Sequence, residues 1–509
     1  MATEIAPHTA LTLTDHLPAL QVLVPFIVAP VITFVGSRRL AWPLAFAASA
    51  VSFVIAALML AKVLSQGTIS YHMGGWAPPL GIEYRVDAAN AFVLLLVTAI
   101  CTVVLVFARQ SVADEVPARN HALFYTAFLL CLSGLLGVTI TGDAFNVFVF
   151  LEISSLSTYV LVAQGAGRDK RALTAAYDYL IMGTIGATFF VIGIGFLYMA
   201  TGTLNMADLA DRIAAQGANR TILAGFAFIV VGIGLKAAMY PLHRWLPNAY
   251  TYAPSAVTAF LAATATKVAI YVLLRFLFTV FQPQFLFEVN TLHLIVLPLA
   301  LVAMFATSFV AIFQSDLKMM LAFSSIAQIG YILLGIAFLT ETGVTAAVVH
   351  LFNHGITKAA LFMAVGAFVF RAGGSFYDTI QGLGRRMPLT SAAVVVGGLS
   401  LIGVPGTAGF VSKWYLVEAA LEKGWWPIAI LIVASSLLAV IYVWRVIEVL
   451  YMQPTPADSQ VEEAPMSMLV PMWIVALACI YFGLDTDLTL TAARAAAEGL
   501  MAGSSGMMH

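Results

Sequence analysis

The chain contains long stretches without Asp, Glu, Lys or Arg, and these stretches constrain its fold more than any other feature of the sequence. A helix that crosses the hydrocarbon core of a bilayer needs about 20 apolar residues. Ten charge-free stretches reach that length, and four more are interrupted by single charges, near 144–166, 222–248, 255–281 and 343–371. The pattern therefore predicts an all-α integral membrane protein with about fourteen transmembrane helices.

The composition agrees with this prediction and excludes several classes of function. Of the 509 residues, 61% are hydrophobic and 10% are charged, whereas soluble domains average about 25% charged residues. A net charge of −1 offers no basic surface for nucleic acid. The three cysteines lie in apolar runs without the spacing of metal ligands. We expect one membrane domain over 1–509, embedded in lipid, that is not an enzyme and holds no cofactor or metal.

The distribution of Lys and Arg between the connecting loops predicts the orientation of the chain in the membrane. Loops after spans 1, 3, 5, 9, 11 and 13 hold about two Lys or Arg residues for each one on the opposite side. Positively charged loops stay in the cytoplasm. The sequence thus predicts that both termini lie on the outer, periplasmic side of a bacterial inner membrane.

Two of the spans contain residues that interrupt a helix. Pro241 lies in span 7, and span 12 carries Gly403-Val-Pro405-Gly406. Proline removes a backbone donor and clashes with the preceding turn, and a broken helix deep in a membrane is tolerated inside protein or beside water. The alternative is that these residues only kink helices that face lipid.

The positions of the two interruptions predict an internal repeat. Spans 4–8, over 119–281, and spans 9–13, over 291–452, form two five-helix units in which the fourth helix is broken. Because five is odd, the two units have opposite topology. The segments 18–109 and 466–484 are predicted to flank them as additional helices.

Four ionisable residues lie inside apolar runs, namely Glu152, Lys236, Lys267 and Lys413. A charge at the bilayer centre costs about 2.5–3.5 kcal/mol on insertion scales, so each of them needs a partner, water or a function. Burial disfavours a lysine ammonium and a nearby carboxylate favours it. A lysine whose carboxylate can move away is therefore suited to a proton relay, although a static ion pair between helices is the alternative.

Span 11 carries His350, His354 and Lys358 at i, i+4 and i+8, which places them on one helical face. Histidine titrates near neutral pH, so this ladder favours proton hopping over a structural role. Ser324, Ser325 and Gln328 in span 10 either line water or form interhelical hydrogen bonds. Asp143, in a tight turn, is interpreted as a helix cap, and His243 near the first break is a further candidate for the path.

Taken together, these residues resemble the antiporter-like subunits shared by respiratory complex I, membrane-bound hydrogenases and multi-subunit Mrp-type cation/proton antiporters. The resemblance covers spans 4–13 and depends on five motifs: Gly142-Asp143-Ala-Phe-Asn-Val-Phe-Val-Phe-Leu-Glu152, Lys236 through Pro254, Lys267 in span 8, His350-x-x-x-His354-x-x-x-Lys358, and Gly403-x-Pro-Gly-x-x-Gly-Phe-x-x-Lys413. The run Thr141-Gly-Asp-x-Phe-Asn is most similar to the D-type component of Mrp antiporters.

The resemblance implies a role for each of these residues. It implies a gating charge pair of Glu152 with Lys236, a central relay at Lys267, a lateral link through His350 and His354, and a terminal lysine at Lys413. Many relatives have His where this chain has Tyr250, so no titrating role is carried over to that position.

The function implied is a proton-translocating subunit of a Na⁺ or other monovalent cation/H⁺ antiporter. Its implied partners are the A, B, C, E, F and G types of Mrp membrane protein, together with protons and the cation. One alternative is a proton-pumping subunit of a complex I-type NADH-quinone oxidoreductase or a membrane-bound hydrogenase. Another is a structural subunit whose charges are fixed pairs.

Overall fold

The computed structural model describes residues 13–454 and 461–502 and shows a bundle of α-helices. Within these two ranges, twelve helical stretches are long and apolar enough to cross a membrane. The helices of the first half are α1 (Leu17–Val35), α2 (Arg38–Gln66), α3 (Ala88–Glu115), α4 (His121–Ile140), α5 (Ala144–Ala163), α6 (Arg171–Thr201), α7 (Met206–Gln216), α8 (Arg220–Lys236), α9 (Trp245–Tyr252) and α10 (Ser255–Leu274).

The second half continues the same architecture. Its helices are α11 (Gln282–Val289), α12 (Leu297–Ile312), α13 (Leu317–Ala337), α14 (Glu341–Ala372), α15 (Tyr377–Ile380), α16 (Pro388–Ile402), α17 (Ala408–Glu422), α18 (Trp426–Tyr451), α19 (Met466–Leu484) and α20 (Asp487–Met501). Short 3₁₀ segments are Leu13–His16, Met73–Gly75, Ala118–Asn120, Gln164–Gly167 and Leu383–Arg385, and π-helical segments are Arg275–Val280 and Leu292–Val296.

Both predicted interruptions occur in the structure. The chain leaves the helical conformation after Lys236 and resumes it at Trp245, and it leaves it again after Ile402 and resumes it at Ala408. Gly403 ends α16 with φ of +89°, a left-handed conformation that glycine adopts without a steric penalty. Counting each of the two interrupted helices as one further span brings the twelve continuous spans to fourteen. The exact number of spans stays a prediction.

A two-stranded antiparallel hairpin covers one face of the bundle. Its strands are β1 (Ile69–His72) and β2 (Glu83–Val86), a small exception to the all-α prediction. Backbone bridges join Tyr84 to Thr141, and Asp143 to Asn205, so the loops after α4 and α6 lie on the same side. We call this side the hairpin face.

Helices α10, α13 and α14 occupy the centre, where almost every side chain is buried. Helix α10 packs against α3 and α14, and α14 also packs against α13 and α17. The helices α2, α6 and α18 instead expose many large apolar side chains, which is the pattern expected of surfaces that face lipid. The central helices carry the candidate site.

Two helices that the charge-free stretches did not predict are amphipathic and carry charges. Helix α7 begins with Asn205, whose side chain accepts hydrogen bonds from the backbone N–H groups of Ala207 and Asp208. Helix α20 buries Thr489, Leu500 and four alanines against α3 and α14. Their small apolar faces are covered by the bundle.

Candidate functional site

The first pair of predicted residues is in contact. Lys236, the last residue of α8, places its Nζ 3.5 Å from Oε1 of Glu152 on α5 and donates a hydrogen bond of 2.7 Å to Oγ of Ser155. A helix C-terminus carries a partial negative charge that favours a cation. The break after Lys236 therefore puts an ammonium where the helix dipole, a carboxylate and a hydroxyl all stabilise its charge.

Lys267 is fully buried in the middle of α10. Its ammonium donates to the backbone carbonyl of Ala262 and, at 3.4 Å, to Oγ1 of Thr266. Among the residues that the structure describes, no carboxylate oxygen lies within 4.0 Å of Lys267. This lysine is held by neutral dipoles alone, so its proton has no fixed countercharge.

The two histidines of α14 form a stack between α13 and α17. The ring nitrogens of His350 lie 2.9 Å from Oε1 of Gln328 and 2.7 Å from Oγ of Ser412. The rings of His350 and His354 are nearly parallel, with centroids 6.1 Å apart. Both nitrogens of His354 are buried and have no hydrogen-bond partner among the described residues, so the stack has a free donor and acceptor at this point.

Lys358 continues the same face of α14 one turn further. Its Nζ donates to the carbonyl of Leu321 at 2.8 Å and to Oγ of Ser324 at 2.5 Å, both on α13. It also interacts electrostatically with Lys267 across the α10–α14 contact. His354 and His350 interact electrostatically with Lys267 as well, so this whole face of α14 lies beside the central lysine.

Lys413 lies at the other end of the stack. Its Nζ donates to the carbonyls of Leu401 and Ile402 at 3.2 and 2.8 Å and to Oγ of Ser436 at 3.1 Å. These two carbonyls end α16, so this ammonium, like that of Lys236, occupies the C-terminus of a broken helix. It also lies 4.7 Å from the ring of Tyr331.

The ring of Tyr331 connects Lys413 to the stack, because its centroid lies 5.6 Å from that of His350. The structure thus brings Lys358, His354, His350 and Lys413 into one row through the protein interior. A row of this kind can pass protons along hydroxyls, imidazoles and intervening water, since each group both gains and loses a proton. In the described part of the chain, no side-chain hydrogen bond joins Lys236 directly to Lys267.

Other expectations from the sequence have clear outcomes. The Asp143 side chain accepts a 2.7 Å hydrogen bond from the backbone N–H of Asn146, which confirms the helix cap. The ring of His243 stacks on Tyr240 in the first break, and among the described residues no side-chain hydrogen bond joins it to the row. Ser325 donates to the Leu321 carbonyl of its own helix, so it is a structural hydroxyl.

Sequence reasoning missed three serines that bind Lys236, His350 and Lys413. The Lys236 ammonium binds Ser155, the His350 ring binds Ser412, and the Lys413 ammonium binds Ser436. Each serine lies on a different helix from its partner. Hydroxyls are common at helix–helix contacts in membranes, so nothing in the linear sequence distinguishes these three from their neighbours.

Within the described ranges, no group of three His, Cys, Asp or Glu side chains is placed to hold a metal ion.

The chain is similar to several proteins of known family. The family model described as NADH:quinone oxidoreductase/Mrp antiporter, TM, matches residues 141–439. The chain is 39% identical to the N-type component of NADH-quinone oxidoreductase from Desulforudis audaxviator over 491 residues, 93% of this chain and 97% of that protein. It is 29% identical to the D-type component of the Na(+)/H(+) antiporter from Bacillus subtilis over 484 residues, 95% of this chain and 96% of that one.

A solved structure has the same fold. A chain in the structure of the Mrp complex from Dietzia sp. DQ12-45-1b superposes with a TM-score of 0.88 at 25% sequence identity, covering 97% of this chain and 98% of that chain.

Proposed function

Because the chain belongs to the NADH:quinone oxidoreductase/Mrp antiporter transmembrane family, we propose that it is a proton-translocating subunit of a multi-subunit Mrp-type antiporter that exchanges Na⁺ or another monovalent cation for H⁺. The observation that carries this proposal is the contact of Glu152 with Lys236 at 3.5 Å, inside the bundle and at a helix break. The similarity to the Bacillus antiporter component and to the Mrp complex supports the antiporter assignment.

The Glu152–Lys236 pair acts as the switch. A carboxylate beside an ammonium stabilises the charged form, and it does so more strongly in a low-dielectric interior than in water. The Glu152 side chain is 27% exposed, whereas Lys236 is buried. Movement of the glutamate away from the lysine therefore releases a proton from Lys236 toward the interior, and its return restores the charged state.

The remaining residues act as a lateral path. Lys267 receives the proton at the centre of α10, Lys358 and the histidine stack pass it along α14, and Lys413 delivers it near the end of the second broken helix. Ser324 holds Lys358, and Gln328 and Ser412 hold His350, at hydrogen-bond distance.

The chain is a transporter subunit of a bacterial plasma membrane and works with other membrane proteins of its complex. We assign the hairpin face to the outside, because the loops of the opposite face hold most of the Lys and Arg residues. This assignment places both termini on the outer side. The partners are the A, B, C, E, F and G types of Mrp membrane protein.

One rival has its own support. The 39% identity to an N-type component of NADH-quinone oxidoreductase favours a proton-pumping subunit of a redox complex, in which the same row is driven by electron transfer. Purification of the assembled complex discriminates between the two: small hydrophobic Mrp-type proteins support the antiporter, and flavin or iron–sulfur proteins support the redox pump.

The direct test uses Lys236→Ala and Glu152→Ala in the assembled complex, assayed as Na⁺/H⁺ exchange in inverted membrane vesicles with a fluorescent pH probe. We expect both variants to assemble and to lose antiport. Lys62→Ala, which removes a partly exposed lysine 3.9 Å from Asp15, is the control and keeps normal activity. Normal antiport in Lys236→Ala contradicts the proposal, and loss of the assembled complex in both variants supports a structural subunit instead.

A further inference from the structure

The buried face of α10 carries a second set of polar groups toward the hairpin face. Lys267, Tyr271 and Arg275 are spaced at i, i+4 and i+8, so they lie on one side of the helix and span about 12 Å along its axis. All three are buried. The lateral path described above uses only the first of them.

Arg275 is the centre of this set. Its Nε donates a 3.1 Å hydrogen bond to the hydroxyl of Tyr271, and its Nη1 and Nη2 donate to the two carboxylate oxygens of Asp87 at 2.7 and 2.8 Å. Asp87 also caps the N-terminus of α3 by accepting from the backbone N–H groups of Ala89 and Asn90. The carboxylate of Asp87 thus neutralises the guanidinium through a bidentate ion pair, the geometry in which such pairs are strongest.

A small polar cavity lies beside these residues. It has a volume of about 20 Å³ and is lined by Tyr271, Arg275, Thr279 and Glu83, among others. A cavity of this size accommodates one water molecule when polar partners surround it. Glu83 is buried on β2, where its carboxylate accepts from Oγ of Ser70 at 2.5 Å and from Nδ2 of Asn205 at 3.0 Å.

We propose that this column is an outlet for the proton of Lys267 toward the hairpin face, with Tyr271 as the link and the Asp87–Arg275 pair as the neutralised charge beside it. This inference rests on the proposed function, because it needs a proton on Lys267. In the structure, the Lys267 ammonium is turned toward Ala262, away from Tyr271. Rotation of the flexible lysine side chain toward the hairpin face brings it to the tyrosine one turn away.

The proton transfer along this column is balanced. Nζ of Lys267 gives up one proton and becomes a neutral amine, the Tyr271 hydroxyl gains that proton as its own passes to water in the cavity, and the carboxylate of Glu83 accepts it. A bare guanidinium beside the hydroxyl would repel an arriving proton. Asp87 removes this barrier, so the pair must stay intact for release.

Two conservative variants test the outlet in the assembled complex in inverted vesicles. Tyr271→Phe keeps the ring and removes the hydroxyl. Asp87→Asn keeps an N-cap acceptor of similar quality and leaves Arg275 uncompensated. We expect each to lower the maximal antiport rate by about a hundredfold, the low end of the effect of removing a proton-transfer group. The Na⁺ concentration at half-maximal rate and the passive decay of an imposed pH gradient stay unchanged.

Tyr442→Phe is the matched control, because Tyr442 is buried on α18 and its hydroxyl has no hydrogen-bond partner in the described residues. We expect it to retain the normal rate. Normal rates in Tyr271→Phe overturn the outlet, and so does a faster passive decay of the gradient in Asp87→Asn, which would identify the pair as a seal. If Lys236→Ala also keeps its antiport activity, the proposed function fails. If Lys236→Ala loses antiport activity while Tyr271→Phe keeps the normal rate, only the outlet is refuted.

Discussion

Replacement of Gly232 by alanine tests whether the contact between α6 and α8 sets the position of Lys236. A Cβ at Gly232 would lie 2.7 Å from the carbonyl oxygen of Gly186 and 2.7 Å from the backbone nitrogen of Phe190, both on α6. Ordinary contact begins at 3.4 Å, so α8 must move away by about 0.7 Å. Backbone atoms cannot rotate aside, and overpacking of this kind costs about 1–3 kcal/mol.

The displacement reaches the charge pair because Lys236 follows Gly232 by four residues on the same face of α8. Its hydrogen bond to Ser155 is 2.7 Å long, and a shift of this size takes it to the edge of hydrogen-bond distance. A hydrogen bond to a charged group contributes about 1.5–3 kcal/mol, and about 1.4 kcal/mol changes a rate tenfold. We therefore expect Gly232→Ala to slow antiport by about tenfold.

The matched control is Gly195→Ala on α6, where an added Cβ meets nothing within 4 Å. Both substitutions gain about 1 kcal/mol of helix propensity. The difference in stability between the two variants therefore reports the packing of α8 against α6. Thermal unfolding of the purified complex should show a lower midpoint for Gly232→Ala than for Gly195→Ala, and vesicle assays should show the slower antiport. Equal midpoints and equal rates in the two variants would refute the idea that this close contact positions the lysine.

Two further predictions concern other parts of the site. Gln328→Leu removes the partner at 2.9 Å from Nε2 of His350 and should reduce antiport by about tenfold through loss of a hydrogen bond of about 1.5 kcal/mol. Gln314→Leu is the control, because the side chain of the half-buried Gln314 donates to the Val310 carbonyl of the preceding helix, and it should not change the rate. Equal rates in the two variants would place His350 outside the path. Asp143→Asn should keep both transport and thermal stability, because asparagine caps helices as well as aspartate does, while Asp143→Ala should lose about 1 kcal/mol of stability. Loss of antiport in the asparagine variant would indicate a relay role instead.

The sequence predicted those features of the fold that depend on the local balance of apolar and charged residues. Charge-free runs located the continuous spans because a charge in hydrocarbon is unfavourable. Pro241 and Pro405 located the breaks because proline interrupts a continued helix, and Gly403 supplies the left-handed residue that ends α16. Helix α20 was missed since Asp487 and Arg494 lie within it and its apolar face is built of alanine. A hydropathy pattern recognises helices surrounded by lipid and overlooks those that cover only a neighbour.

The candidate site was predictable in its charges and not in their partners. Lys267 and Glu152 were conspicuous because ionisable residues in apolar runs are costly. The hydroxyl of Ser155 is separated from Lys236 by 81 positions, and only the crossing of α5 and α8 brings them together. The Asp87–Arg275 contact, across 188 positions, was missed because both residues lie near span ends, where charges are ordinary.

The two lysines at the broken helices, Lys236 and Lys413, differ in the charge of their partners. The ammonium of Lys236 contacts the hydroxyl of Ser155 and the carboxylate of Glu152. The partners of Lys413 are two backbone carbonyls and Ser436, which carry no net charge. In the proposed relay the charged partner lies at the Glu152 end, so we infer that this end controls proton release and that the Lys413 end follows it.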